Sequence, residues 1–149
     1  MPADNVFVDT NVLLYSFDVR DRVKRTRSRQ WVSGLWEAGR GRISWQVLHE
    51  FYANAVRKIP VSATAARETV SVFTRWQPCE MTLGVIERAW YWMDMAQLSY
   101  WDGMILAAAE RLGCGWLLSE DFQAGRSYEG VVDVNPFKSV PADLGLVSQ

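Results

Sequence analysis

Cysteine and histidine are almost absent from this chain, which has two cysteines, Cys79 and Cys114, and one histidine, His49, in 149 residues. The cysteines do not stand in CxxC spacing, so neither a disulfide framework nor a structural zinc site finds its ligands; both thiols are expected to be reduced and buried. His49-Glu50 suggests the start of an HExxH zinc-protease motif, but the second histidine position is Ala53, which removes that reading. As a lone imidazole, His49 reads as a packing or surface residue. GxSxG, P-loop and GxGxxG sequences are missing, and with them the anchors of serine hydrolases, nucleoside triphosphatases and dinucleotide-binding folds. No apolar run approaches the roughly 20 residues of a membrane span. The start MPADN has neither the basic segment nor the apolar stretch of a signal peptide. A cytoplasmic protein without membrane contact is expected. Net charge is scarce too, because 16 basic and 17 acidic residues leave only −1.

What the chain does have is apolar material: 49% hydrophobic residues, eight tryptophans among them, and helical patterns over most of its length. That composition implies a compact globular protein, and the length is that of about one domain. We expect a single domain over 1–149, with its core at about 4–137 and a C-terminal tail at 138–149. Trp31, Trp36, Trp90 and Trp92 are expected mostly in the core rather than on a partner surface. Charge placement is uneven: Arg20, Arg22, Lys24, Arg25, Arg27, Arg29, Arg40 and Arg42 make up half of the 16 basic residues. Such a cluster reads as a solvated helical face or as a phosphate-facing surface.

Pattern along the chain places the elements. The run Val6-Phe7-Val8 is β-branched and aromatic, and Asp9-Thr10-Asn11 behind it is the kind of cluster that ends a strand and caps a helix. A short helix over 12–17 and a basic one over 21–37 follow, the second closed by Gly39 and Gly41, and then a short strand over 42–44. Val47, Leu48, Phe51 and Ala55 recur at helical spacing within 45–58, and Pro60 stops them. Two more helices are expected over 62–76 and 83–97, separated by Pro78 and an extended piece at 79–81. Ser99-Tyr100-Trp101-Asp102 has the form of a capping box for a helix reaching Leu112, with aspartate in the usual glutamate position. Strands over 115–119 and 131–134 complete the pattern. Alternating strands and helices imply a parallel sheet covered on both faces, where ligands gather beyond the carboxyl ends of the strands. Asp9 and Asp121 then share one rim, with the helix start carrying Asp102 near it.

Each acid alone has an ordinary explanation. Asp9 can cap a helix, Asp102 suits a helix dipole, Glu50 can be a surface residue beside Asn54 and Arg57, and Asp121 can be a loop carboxylate. Together they carry more, since several carboxylates in one cleft repel unless a cation neutralises them. Oxygen donors without cysteine or histidine suit magnesium or manganese, and a cation held there could bind phosphate oxygens and acidify water. Phosphodiester hydrolysis is the natural chemistry.

The segments DTNVLLY, WQVLHEFY, SYWDGMILAAAERLGC, LLSEDFQ and VNPF, in this order, resemble the PIN-domain ribonucleases, most closely the VapC-type toxins of bacterial toxin-antitoxin pairs. The resemblance spans nearly the whole chain. It implies a three-layer α/β/α sandwich with a central parallel sheet of about five strands. It also implies an acidic quartet of Asp9, Glu50, Asp102 and Asp121 as catalytic residues and ligands of Mg2+ or Mn2+. Asn11 and Ser119 match the family's supporting polar residues. Implied with them are metal-dependent endonucleolytic cleavage of RNA, a homodimer, and a VapB-like antitoxin whose tail covers the groove. Glu120 is an extra carboxylate, facing either site or solvent, and Gly103 loosens the helical turn after Asp102. The basic segment would then position the RNA backbone through Arg25, Arg27 and Arg29. The alternatives are a nuclease for structured DNA and a non-catalytic module that binds RNA or protein; four intact acids facing phosphate argue against the second.

Overall fold

The computed structural model describes residues 4–146. Its first strand, β1 (Val6–Val8), is wholly buried and breaks at Asp9, whose carboxylate accepts from the Thr10 N–H and starts α1 (Thr10–Tyr15). Asp21 caps α2 (Arg22–Ala38) in the same manner, through Lys24 N–H, and Gly39 closes it with a left-handed φ of 66°. Strand β2 is Gly41–Arg42, one residue earlier and shorter than the sequence pattern predicts. The reason is Ser44: its hydroxyl accepts from Val47 N–H and caps α3 (Trp45–Lys58), leaving only a bridge to Cys79. Gly41 is indispensable at its place, because a Cβ there would lie 2.3 Å from the Trp76 ring. That ring is itself held in a cluster with Trp36 and Phe73.

Helix α4 (Ala63–Phe73) tightens into a 3-10 turn at Thr74–Trp76, and Gln77 reverses the chain with a φ of 53°. Helices α5 (Leu83–Ala96) and α6 (Tyr100–Arg111) then pack against each other more extensively than any other pair of elements. Gly103 explains their closeness, since a Cβ there would stand 2.8 Å from the Ala89 carbonyl oxygen. The glycine after Asp102 is therefore a packing requirement of two helices rather than a loosened turn. After α6 come β3 (Trp116–Leu118), β4 (Ser127–Tyr128) and β5 (Val131–Val134), and the tail forms a 3-10 turn at Pro141–Leu144.

The five strands form one sheet in the order β2-β1-β3-β5-β4. Four strands run parallel, and β4 returns antiparallel to β5 at the edge, so the sheet is mostly rather than wholly parallel. Helices flank the sheet in a three-layer α/β/α arrangement. One apolar cluster joins β1, β3, β4 and β5 to all six α-helices, with Phe7, Leu13, Trp31, Leu35, Phe51, Leu106 and Leu117 fully buried in it. Each such side chain contributes about 1.5–3 kcal/mol of burial free energy. Trp31 also satisfies its indole N–H on the Pro136 carbonyl at 3.0 Å. Trp92 is core as expected and Trp36 packs against the core from the half-buried layer, but Trp90 is 52% exposed on the outer face of α5. Both cysteines are buried free thiols, and burial pushes the Cys114 thiol up to about 12. No helix among the described residues is long and apolar enough to cross a membrane.

Candidate active site

The carboxyl ends of β1 and β3 lie side by side, tied by Asp9 N–H on the Leu118 carbonyl at 3.1 Å, so the residues that leave these strands meet. Asp9 is 5% exposed and each of its oxygens is engaged. Oδ1 accepts from Thr10 N–H at 2.7 Å, and Oδ2 accepts the Ser119 hydroxyl at 2.7 Å and, more loosely, Asn11 Nδ2 at 3.4 Å. Asn11 is the hub: its Nδ2 also donates to Ser119 Oγ at 3.2 Å and to Asp121 Oδ2 at 3.0 Å, and its Oδ1 accepts from Glu120 N–H. Ser119 Oγ accepts in turn from Asp121 N–H at 3.1 Å. Asp9, Asn11, Ser119 and Asp121 thus form a closed hydrogen-bonded group drawn from two distant parts of the chain.

Glu50 comes to the same rim from the middle of α3. Gln46, one turn earlier, donates to Glu50 Oε1 at 2.8 Å and to the Trp101 carbonyl at 3.1 Å, linking α3 to the start of α6. Asn54 bonds the Glu50 carbonyl and Arg57 reaches Asn54, so neither touches the Glu50 carboxylate. Ser99 caps α6 by accepting from Asp102 N–H at 3.1 Å, which places the Asp102 side chain in the first turn.

Electrostatics show that the four acids share one space. Burial pushes Asp9 from the usual 3.8 up to about 7; Asp121 and Asp102 add to the rise, against the hydrogen bonds of Ser119 and Thr10. Burial likewise raises Glu50, which feels Asp102 and Asp121, and raises Asp102, which feels Asp121. Among the described residues none of the four acids has a lysine or arginine ion pair. No three acidic, histidine or cysteine side chains among the described residues are arranged as a ready metal-binding group. Asp9 in particular spends its oxygens on Ser119, Asn11 and Thr10.

Three features were not apparent from the sequence pattern. Glu120 turns away from the quartet to pair with Lys24 at 2.9 Å, and that ammonium also reaches the Tyr15 hydroxyl and lies over the Tyr15 and Phe137 rings. Thr10 Oγ1 is buried at the rim, where its hydroxyl offsets part of the rise that burial imposes on Glu50. Asp133 on β5 is 1% exposed, with neither carboxylate oxygen hydrogen-bonded, and burial together with Asp9 and Asp121 pushes it up to about 7. Its signal was present in VVDV, an acid inside an apolar strand, the same oddity that VFVD shows at Asp9. Arg27 and Arg29 are anchored on the Ser139 and Ser16 carbonyls, and Arg25 has a buried, unpartnered Nε.

A mostly parallel, helix-flanked sheet with four carboxylates gathered beyond its strand ends defines an α/β protein with an acidic rim. The PIN domain model matches residues 6–127, and the chain belongs to the PIN domain family. Two solved structures are similar to it in fold. One is a toxin-antitoxin complex from Klebsiella pneumoniae, 20% identical, covering 89% of this chain and 98% of that one with a TM-score of 0.65. The other is VapC20 of Mycobacterium tuberculosis, a sarcin-ricin loop cleaving toxin, 18% identical, covering 76% and 87% with a TM-score of 0.57. No curated protein matches the chain by sequence. PIN nucleases generally use divalent metals. The donor set here suits such a cation: all oxygen, lacking an ion-pair partner, with the Asp133 carboxylate unsatisfied.

Proposed function

We propose that this protein is a divalent-metal-dependent endoribonuclease, the toxin of a toxin-antitoxin pair. The observation that carries the reading is the gathering of Asp9, Glu50, Asp102 and Asp121 on one rim without a basic partner. Such an arrangement is costly unless a hard cation neutralises it. Asp9, Asp102, Asp121 and Glu50 would hold Mg2+ or Mn2+, which supplies charge neutralisation at the phosphate and acidifies water. Asn11 and Ser119 orient the carboxylates of Asp9 and Asp121 through the bonds described above. In the reaction a water oxygen would bond to phosphorus, its proton passing to a carboxylate, while the opposite P–O ester bond breaks and the leaving ribose oxygen takes a proton from solvent water, giving a phosphate monoester and a ribose hydroxyl.

RNA as substrate and a VapB-like antitoxin as partner are suggested by the nature of the two similar structures, and a homodimer by family resemblance. Arg25, Arg27 and Arg29 are assigned to the RNA backbone. The test is incubation of purified protein with a pool of folded cellular RNAs in Mg2+ or Mn2+, beside a chelator control and the Asp9→Asn and Asp121→Asn variants. Discrete fragments that require metal and both acids are expected. Full cleavage by either variant would refute the assignment of the site, and cleavage of DNA in preference to RNA would refute the substrate.

A further inference from the structure

Asp133 differs from every other acid among the described residues in being buried with both oxygens unpartnered. Its backbone is fully occupied: the N–H donates to the Arg126 carbonyl at 3.0 Å and the carbonyl accepts from Gly125 N–H at 2.9 Å. The side chain therefore caps nothing, and no hydrogen bond offsets its desolvation.

Strand register says where it points. Asp133 is level with Leu117 on β3, and Leu117 with Phe7 on β1. Side chains two residues apart on a strand share a face. The row formed by Phe7, Leu117 and Asp133 therefore lies directly beneath the row formed by Asp9, Ser119 and Asn135. The strands stay in step through that upper row, because Ser119 N–H bonds the Val134 carbonyl at 3.0 Å and Asp9 N–H the Leu118 carbonyl at 3.1 Å. One row is roughly 6.6 Å of strand. Asp133 is accordingly close enough for Asp9 and Asp121 to act on its charge.

Its row companions show what would be ordinary in this position. Phe7 and Leu117 are fully buried and apolar, and Val131 and Val134 on β5 are buried too. A valine or leucine at 133 would continue that packing without a buried polar group, whose unmet hydrogen bonds are costly. The acid is useful where a positive charge is held above it.

We infer that Asp133 is a fifth acid of the cation site, acting as a positioning residue from the row beneath Asp9 and Ser119. The inference rests on the proposal that the acidic rim binds a divalent cation. Asp133 adds a carboxylate charge and two free oxygens under the quartet, which strengthen retention of the ion and of the water around it. A purely structural Asp133 would influence stability and leave cation affinity alone.

The experiment titrates Mn2+ alone into the purified full-length protein, free Mn2+ being read by electron paramagnetic resonance. Wild type is compared with Asp9→Asn and Asp133→Asn, and thermal unfolding in chelator reports on each fold. The expected result is saturable binding by wild type, loss of it in Asp9→Asn, and about tenfold weaker binding in Asp133→Asn with unfolding temperature unchanged or raised. Binding that Asp9→Asn abolishes but Asp133→Asn leaves within about twofold overturns the fifth-acid role while the site reading survives. Absence of binding in wild type, or binding indifferent to Asp9→Asn, overturns both. If the amide is not accommodated, Asp133→Ser removes the charge with a smaller side chain and is judged by the same affinities.

Discussion

Ser119 donates its hydroxyl to Asp9 Oδ2 at 2.7 Å across a sequence separation of 110 residues. That bond joins the two strand ends of the acidic rim, and Ser119 Oγ simultaneously accepts from Asp121 N–H and Asn11 Nδ2. Replacing Ser119 by alanine should lower Mn2+ affinity and RNA turnover by about 10–100-fold, as loss of a residue orienting a metal ligand commonly does. Titration of metal into the variant, with turnover measured at saturating metal, separates the two effects; unchanged affinity and turnover would show that Asp9 needs no orientation.

Gly103→Ala tests a different support of the site. Its Cβ would press on the Ala89 carbonyl, so α6 must shift away from α5 and take Asp102 with it. Overpacking of this kind costs about 1–3 kcal/mol. Denaturant unfolding should show that loss, and metal binding should weaken in the molecules that remain folded. A variant as stable as wild type would mean the helix pair is looser than it stands.

Stability of the metal-free protein should fall as pH rises. Asp9 and Asp133 have folded pKa values near 7 against an ordinary 3.8, so between these values the folded chain holds protons that the unfolded chain has released. Folding is then favoured at the acid end of the window and loses that advantage as pH climbs through about 7; a tenfold difference in proton affinity between the two states is worth about 1.4 kcal/mol. Thermal unfolding in chelator between pH 5 and 8 should show the unfolding temperature declining, with Asp9→Asn flattening the curve. Mn2+ should restore stability most strongly at the alkaline end. A wild-type profile that rises with pH over this window would contradict the raised pKa values of the two acids.

Arg25, Arg27 and Arg29, changed together to alanine, should weaken RNA binding whatever its sequence. The slope of log affinity against log salt should flatten by about 0.7–0.9 for each phosphate that these side chains neutralise. Because Arg27 and Arg29 also hold the Ser139 and Ser16 carbonyls, a small drop in unfolding temperature should accompany it. An unchanged salt slope would remove this segment from the RNA surface.

Local chemistry alone makes much of this protein readable. Asp9, Asp21, Ser44, Ser62, Thr82 and Ser99 each cap the helix that follows, and a cap depends on residues within a turn of it. The strand at Val6–Val8, the stripe on α3 and the stop at Gly39 are legible for the same reason, as is the placing of Asp9 and Asp121 at strand ends on one rim. Other features depend on what folding brings together. Whether Glu120 joins the acids or leaves them is decided by Lys24, 96 positions away. Gly103 is explained by the Ala89 carbonyl of another helix, and the brevity of β2 by competition between ladder and cap at Ser44. Edge strand β4 is two residues long and has no periodicity to read. Trp90 and Trp92 are chemically alike in sequence, yet the rotation of α5 against α6 buries one and exposes the other. The place of Asp133 beneath Asp9 follows from register among three strands, a relation that no local pattern encodes because it is fixed by the pairing of separate strands, β1 and β3 of which lie more than 100 residues apart.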